Sequence, residues 1–178
     1  MGHLIALPLT GLEVPHARYR LTSLRQATVG CGVAFSVNVW ERRVLLGVIE
    51  NHGNGGDTWF NAATCDYREA MREFTAACRW KGDRISEEEV YEHLVDEYDL
   101  ARAAKRCARK RTSLLRGLDA DGDVVRSEEA RVPSVWLIRG DYPYMNHLAR
   151  ELHDHQPLPA SWQVWDGEQW KDLTLPDS

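Results

Sequence analysis

Between Asn51 and Thr58 the chain reads Asn-His-Gly-Asn-Gly-Gly-Asp-Thr, directly after the apolar run that ends at Ile49. Glycine accepts positive φ without a Cβ clash, and asparagine tolerates it better than most residues, so this stretch can follow a tight path whose amides turn inward together. Such a concavity could hold an anion or a partner's carboxylate. Asn51, His52, Asn54, Gly55, Gly56, Asp57 and Thr58 are therefore the candidate ligand- or partner-binding residues. A Walker loop would continue with Gly-Lys-Ser/Thr, but Gly55-Gly56 leads into Asp57-Thr58, so the phosphate-contacting lysine is missing. A dinucleotide fingerprint would need an alternating β-α-β chain, which this sequence lacks. Three readings remain open for the segment: a structural turn, a surface for a partner, and a small-molecule or phosphate site.

A second group sits on a long helical stretch whose two halves carry opposite charge. Glu87, Glu88, Glu89, Glu92, Asp96 and Glu97 crowd its start, and Arg102, Lys105, Arg106, Arg109 and Lys110 follow on one broad face. Acids at a helix start and bases at its end both complement the backbone dipole, which is the plain explanation. The functional one is a basic patch for phosphates or for an acidic protein. No aromatic residue interleaves with these cations in sequence, which weakens a role in stacking single-stranded bases. The acidic half could instead imitate nucleic acid toward a basic target.

Other constellations are set aside on spacing. Asp119, Asp121 and Asp123 alternate as in a calcium loop, but Gly122 comes too early, so they read as a turn. His147, Glu151, His153, Asp154 and His155 contain one helical chelating pair and read as dipole partners near a helix end, with no metal expected. Cys31, between Gly30 and Gly32, has no base nearby in sequence and reads as structural. No catalytic residue and no cofactor is expected.

Composition frames these choices. The chain has 178 residues, 43% hydrophobic and 28% charged, enough for one domain that buries roughly two thirds of its unfolded surface. A net charge of -5 argues against a surface that is everywhere a nucleic-acid magnet. The four cysteines form no Cys-x-x-Cys pair, and reduced thiols are the expectation. The N-terminal apolar run is short, lacks a basic lead-in and is broken by Pro8 and Gly11, and nothing else reaches the length of a membrane span. A cytoplasmic protein without membrane contact is expected.

The elements that must carry these residues suggest an α+β fold: an N-terminal antiparallel sheet packed on two or three helices, with a second strand group and a C-terminal hairpin. A single domain is expected over 1–178, with the sheet part at about 15–60, a helical part at about 66–111 and a mixed strand and helix part at about 112–175. Val33, Phe35, Val37 and Val39 alternate with polar or small residues and then return through Val44 to Ile49, giving a hairpin. A strand near Tyr19 to Thr28 precedes it. Asp66 predicts a helix start and Gly82 its end, and Ser86 with Glu89 forms a capping box for the long helix. Leu114 to Arg126 and Val132 to Ile138 read as strands with Asp121-Gly122 marking a hairpin turn. Asp141 and Pro143 open a last helix, and Asp166-Gly167 turns a tail hairpin between Trp162 and Trp170. Trp136 reads as core, and Trp59, Trp162, Trp165 and Trp170 as a surface cluster.

The segment Gly47-x-Ile49-Glu50-Asn51-x-Gly53-x-Gly55-Gly56-x-Thr58, after two strands and before helices, resembles a pattern in uncharacterised small proteins of bacteriophages and actinobacterial genomes. The match covers about the first third of the chain. That resemblance implies a mobile-element setting and carries no assigned activity. The leading expectation is a non-enzymatic accessory protein that binds a host protein or nucleoprotein complex, with inhibition of host defence, as by an anti-CRISPR, as its effect. A nucleic-acid-binding module using the basic half of the long helix, and a nucleotide or phosphate binder using the glycine-rich loop, are the alternatives.

Overall fold

The computed structural model describes residues 3–30, 32–153 and 158–176. It is a mixed α+β protein with antiparallel sheets, and its chain divides into two compact units, 1–99 and 100–178.

In the first unit β1 (Ile5–Ala6) pairs with β2 (Glu13–Val14), and a four-stranded sheet follows, made of β3 (Tyr19–Val29), β4 (Gly32–Glu41), β5 (Val44–Asn51) and β6 (Trp59–Ala62) in sequence order. The alternation read from β4 is real at Val37 and Val39, which are buried opposite Ile49 and Gly47 of β5. It fails toward the hairpin tip, where Val33 is half exposed. Strand β3 carries a register shift between Thr22 and Arg25 with Ser23 at φ 59°, a bulge that twists the strand.

Helix α1 (Cys65–Ala77) starts two residues earlier than Asp66 would place it, because Thr64 is the cap: its Oγ1 accepts from the Tyr67 amide at 3.3 Å. Asp66 sits in the first turn instead, where its charge suits the dipole. The helix stops at Ala77, not at Gly82, since Arg79 leaves to bond Glu13 through both backbone groups. Helix α2 (Glu87–Lys110) opens on the capping box as read: the Ser86 amide donates to Glu89 Oε2 at 2.7 Å, and the Glu89 amide donates to Ser86 Oγ at 3.2 Å. Leu21, Val37, Leu46 and Ile49 from the sheet, Met71 and Phe74 from α1, and Val90, Tyr91, Leu94 and Val95 from α2 form one buried cluster.

The boundary between the units falls within α2. In the second unit the helix ends where Arg111 turns to φ 55° and the Thr112 amide reaches back to the Cys107 carbonyl at 3.0 Å. The strands β7 (Ser113–Leu118), β8 (Val124–Ala130), β9 (Ser161–Trp165) and β10 (Trp170–Leu173) form a sheet in the order β10-β9-β7-β8. Leu114 to Arg126 is thus two strands joined at Asp119, whose Oδ1 accepts from the amides of Asp121 and Asp123. The tail hairpin turns at Asp166-Gly167 as expected, with Gly167 at φ 112°.

Val132 to Ile138 is not a strand. Pro133 caps a short helix, α3 (Ser134–Ile138), which buries Leu137 while Val135 and Ile138 stay exposed. A brief apolar run after a proline has no periodicity long enough to separate the two outcomes. In α4 (Tyr142–His153), Met145, Leu148, Ala149 and Leu152 share the buried face. Met145, Leu148 and Leu152 join Leu115, Leu137, Trp162, Val164 and Leu173 in the second core. Trp162 is therefore core, whereas Trp136 is only half-buried and stacks on Tyr144.

Candidate functional site

The glycine-rich loop is closed by its own side chains. Asn51 Oδ1 accepts from the Gly53 amide at 2.6 Å, and Asn51 Nδ2 donates across the loop to the Gly56 carbonyl at 3.1 Å and to Thr58 Oγ1 at 2.9 Å. Asn54 Oδ1 accepts from the Gly56 amide at 3.3 Å. Two amides that an anion would recruit are thus already engaged within the loop. Gly53, at φ 69°, is buried against the β3–β4 hairpin, where a Cβ would lie 2.4 Å from the Ala34 nitrogen. Gly55, at φ 80°, has open space around it. His52 packs edge-on against Trp59 at 4.6 Å, and Trp59 Nε1 donates to Glu50 at 3.1 Å. His52, Asn54, Gly55, Gly56 and Asp57 are exposed, while Thr58 is 3% exposed.

Thr58 explains part of the acidic helix. Its amide donates to Glu88 at 2.9 Å and its hydroxyl to Glu92 at 3.2 Å, extending the chain of bonds from Asn51 into α2. Glu87 accepts from the Tyr91 hydroxyl, Glu89 closes the cap, and Glu97 accepts from the amides of Leu9 and Thr10 and from Thr10 Oγ1. Carboxylates that look like a solvated or nucleic-acid-like face in sequence are anchors inside the first unit. Nothing in the sequence ties Glu88 and Glu92 to the glycine-rich loop. Their only sequence signal was an excess of acid at a helix start, which the dipole explains equally well.

Among the described residues Asp96 has no such donor. Its carboxyl reaches solvent yet is crowded, and burial, followed by the charges of Glu92 and Asp99, pushes it up to about 6 from an ordinary 3.8. The folded chain therefore binds this proton more tightly than the unfolded chain, so the stabilisation is full below about pH 4 and lost as pH rises through about 6. In a dry site that shift would amount to about 3 kcal/mol, and solvent screening reduces it to about 1 kcal/mol. Asp96→Asn is expected to stabilise the protein by about that much at pH 8 and by nothing at pH 3.5 in urea titrations. An equal gain at both pH values would rule out the charge as the cause.

In the second unit the expected basic face divides. Arg106 is bound to Glu129 of β8 through Nε at 2.9 Å and through Nη2, and these hydrogen bonds hold the Glu129 carboxyl below the usual range, with Lys110 adding to the effect. Lys105 instead lines a cavity of about 230 Å³ together with Ala104, Cys107, Leu114, Trp165 and Asp166. Arg102 and Arg109, three before and four after Lys105, are exposed on the same side of the helix. The aromatic partner missing from the local sequence thus comes from the tail hairpin. Trp165 meets Trp170 edge-on at 5.3 Å, and the Arg116 guanidinium lies over the Trp170 ring at 4.4 Å.

Among the described residues no group of three or more His, Cys, Asp or Glu could hold a metal ion. His155 and Asp154 of the expected histidine cluster lie outside the described residues, as does Cys31. Burial pushes the Cys78 thiol up to about 12 and raises that of Cys107, which disfavours the thiolate at both. Among the described residues no helix is long and apolar enough to cross a membrane. The chain matches no family model, and no curated protein or solved structure is significantly similar to it.

Proposed function

We propose that this protein acts by binding, with the Asn51 to Thr58 loop as a recognition tip for a host protein or nucleoprotein complex. In this reading the N-terminal sheet, resting on α1 and the first half of α2, is the platform, and the second strand group and C-terminal hairpin complete the fold. The setting is the cytoplasm of a host cell carrying a bacteriophage or other mobile element, and the effect is inhibition of a defence system, as by an anti-CRISPR. The observation that carries the proposal is the internal closure of the loop by Asn51, Asn54 and Thr58. A tip already fixed in shape loses little conformational freedom on docking, so its exposed Asp57 and peptide groups can contribute their contacts nearly in full. The same closure argues against a phosphate cradle, because the Gly53 and Gly56 amides are engaged.

A second reading, a nucleic-acid-binding module, is favoured by Trp165 sharing a cavity with Lys105. A base stacked there would leave its phosphates to Arg102, Lys105 and Arg109. One pair of assays separates the two. Under the first reading a specific partner is captured from host lysate by the wild-type protein and lost with Asp57→Arg, at unchanged melting temperature. Failure to lose it sinks the loop's role. Under the second, a labelled single-stranded oligonucleotide binds, binding falls at least tenfold between about 50 and 200 mM salt, and Trp165→Ala abolishes it. Salt-independent or absent binding removes that reading.

A further inference from the structure

We infer that the outer face of the first unit's four-stranded sheet binds single-stranded nucleic acid, stacking bases on Trp40 and Trp59 and seating one base in a depression beside the glycine-rich loop. One face of this sheet gives Leu21, Val37, Val39 and Ile49 to the buried cluster. Residues opposite one another in an antiparallel ladder share a face. Arg20 lies opposite Trp40, and Arg25, Ser36, Glu50 and Trp59 follow one another across the four strands, so all six stand on the face away from that cluster. A depression of about 280 Å³ opens there, lined by the small residues Ala27, Ala34 and Ser36 together with Arg25, Glu50 and His52.

The occupant is argued from the held rings and from charge. Trp40 Nε1 donates to Thr22 Oγ1 at 2.9 Å, and Trp59 Nε1 donates to Glu50 Oε1 at 3.1 Å, so both half-buried indoles are tied to a neighbouring strand. Rings held in this way do not project as the anchors that a protein partner buries in its own pockets. They offer π surface, on which any base can stack. His52, edge-on to Trp59, carries that aromatic surface to the depression. Arg20 and Arg25 are exposed, and among the described residues neither guanidinium makes an ion pair or a hydrogen bond, which leaves both for phosphates. Glu50 has one oxygen committed to Trp59, and the other can accept from the exocyclic amino group of a base. This site lies in the first unit, whereas the Trp165 cavity belongs to the second, and the inference does not depend on the role given to the loop.

Fluorescence anisotropy of a labelled single strand of about 12 nucleotides, as DNA and as RNA, tests the inference with the full chain. The tighter of the two should bind at least tenfold better than its duplex, because paired bases have no free ring face to stack. Arg20→Glu combined with Arg25→Glu should weaken binding at least tenfold at unchanged melting temperature, and Trp40→Leu at least fivefold. Should Trp40→Leu not fold, the arginine pair alone decides. Trp165→Ala should leave binding unchanged, which separates this site from the one in the second unit. Binding that the duplex shares, that survives the double arginine change, or that Trp165→Ala abolishes overturns the inference. Absence of binding also overturns it, and leaves the face to a protein partner.

Discussion

Gly53→Ala is expected to destabilise the first unit by about 3 to 5 kcal/mol, whereas Gly55→Ala, two residues on, costs only about 1 to 2 kcal/mol. Both glycines hold positive φ, at 69° and 80°, so the backbone penalty for an L side chain is shared. The surroundings differ. A Cβ on Gly53 would meet the Ala34 nitrogen at 2.4 Å and Val29 Cγ2 at 2.5 Å, and the first of these is backbone in a paired strand that cannot yield cheaply. A Cβ on Gly55 meets nothing within 4 Å. Urea unfolding of the two variants measures the difference directly, and equal losses would mean that the loop does not pack against the hairpin at all. Because whole-protein stabilities are about 5 to 15 kcal/mol, the Gly53 variant stands near the limit of folding.

Glu97→Ala is the second large effect, with an expected loss of about 3 kcal/mol. One carboxylate accepts from the Leu9 amide at 3.1 Å, the Thr10 amide at 2.8 Å and the Thr10 hydroxyl at 2.9 Å. Hydrogen bonds to a charged acceptor are worth roughly 1.5 to 3 kcal/mol each, and they do not add fully when they share one group. Leu9 is 4% exposed, so its amide would be left poorly solvated once the acceptor is removed. Glu97→Gln keeps one carbonyl oxygen and should lose about half as much. Limited proteolysis should then cut near Leu9 in the alanine variant first. If the alanine and glutamine variants prove as stable as the parent, the carboxylate does not anchor this segment.

The parts of the fold legible in sequence were those with local causes. The capping box at Ser86, the stripe that buries Val90 and Leu94, the hairpin from β4 to β5 and the tail turn at Asp166-Gly167 each depend on residues within a few positions of one another. The start of α1 was misplaced because Asp66 and Thr64 are both good caps, and only the Thr64 hydroxyl is placed to accept from Tyr67. Strand β6 was missed because four residues after a glycine loop carry no pattern. What no local reading could supply was long-range pairing. Thr58 finds Glu88 thirty residues on, Arg106 is drawn to Glu129, and Trp165 comes beside Lys105 from the other end of the second unit. Each turns a residue read as generic surface into a member of a specific contact.

The first half of α2 has a consequence for how the protein opens. The glycine loop is fastened to it at Glu88 and Glu92, the segment around Thr10 at Glu97, and the sheet through Val90, Tyr91 and Leu94. Three stretches remote in sequence therefore share one latch. Fraying of that half-helix would release them in a single cooperative opening event, so amide protons at Gly53, Thr58 and Thr10 belong to one exchange unit and report one opening free energy.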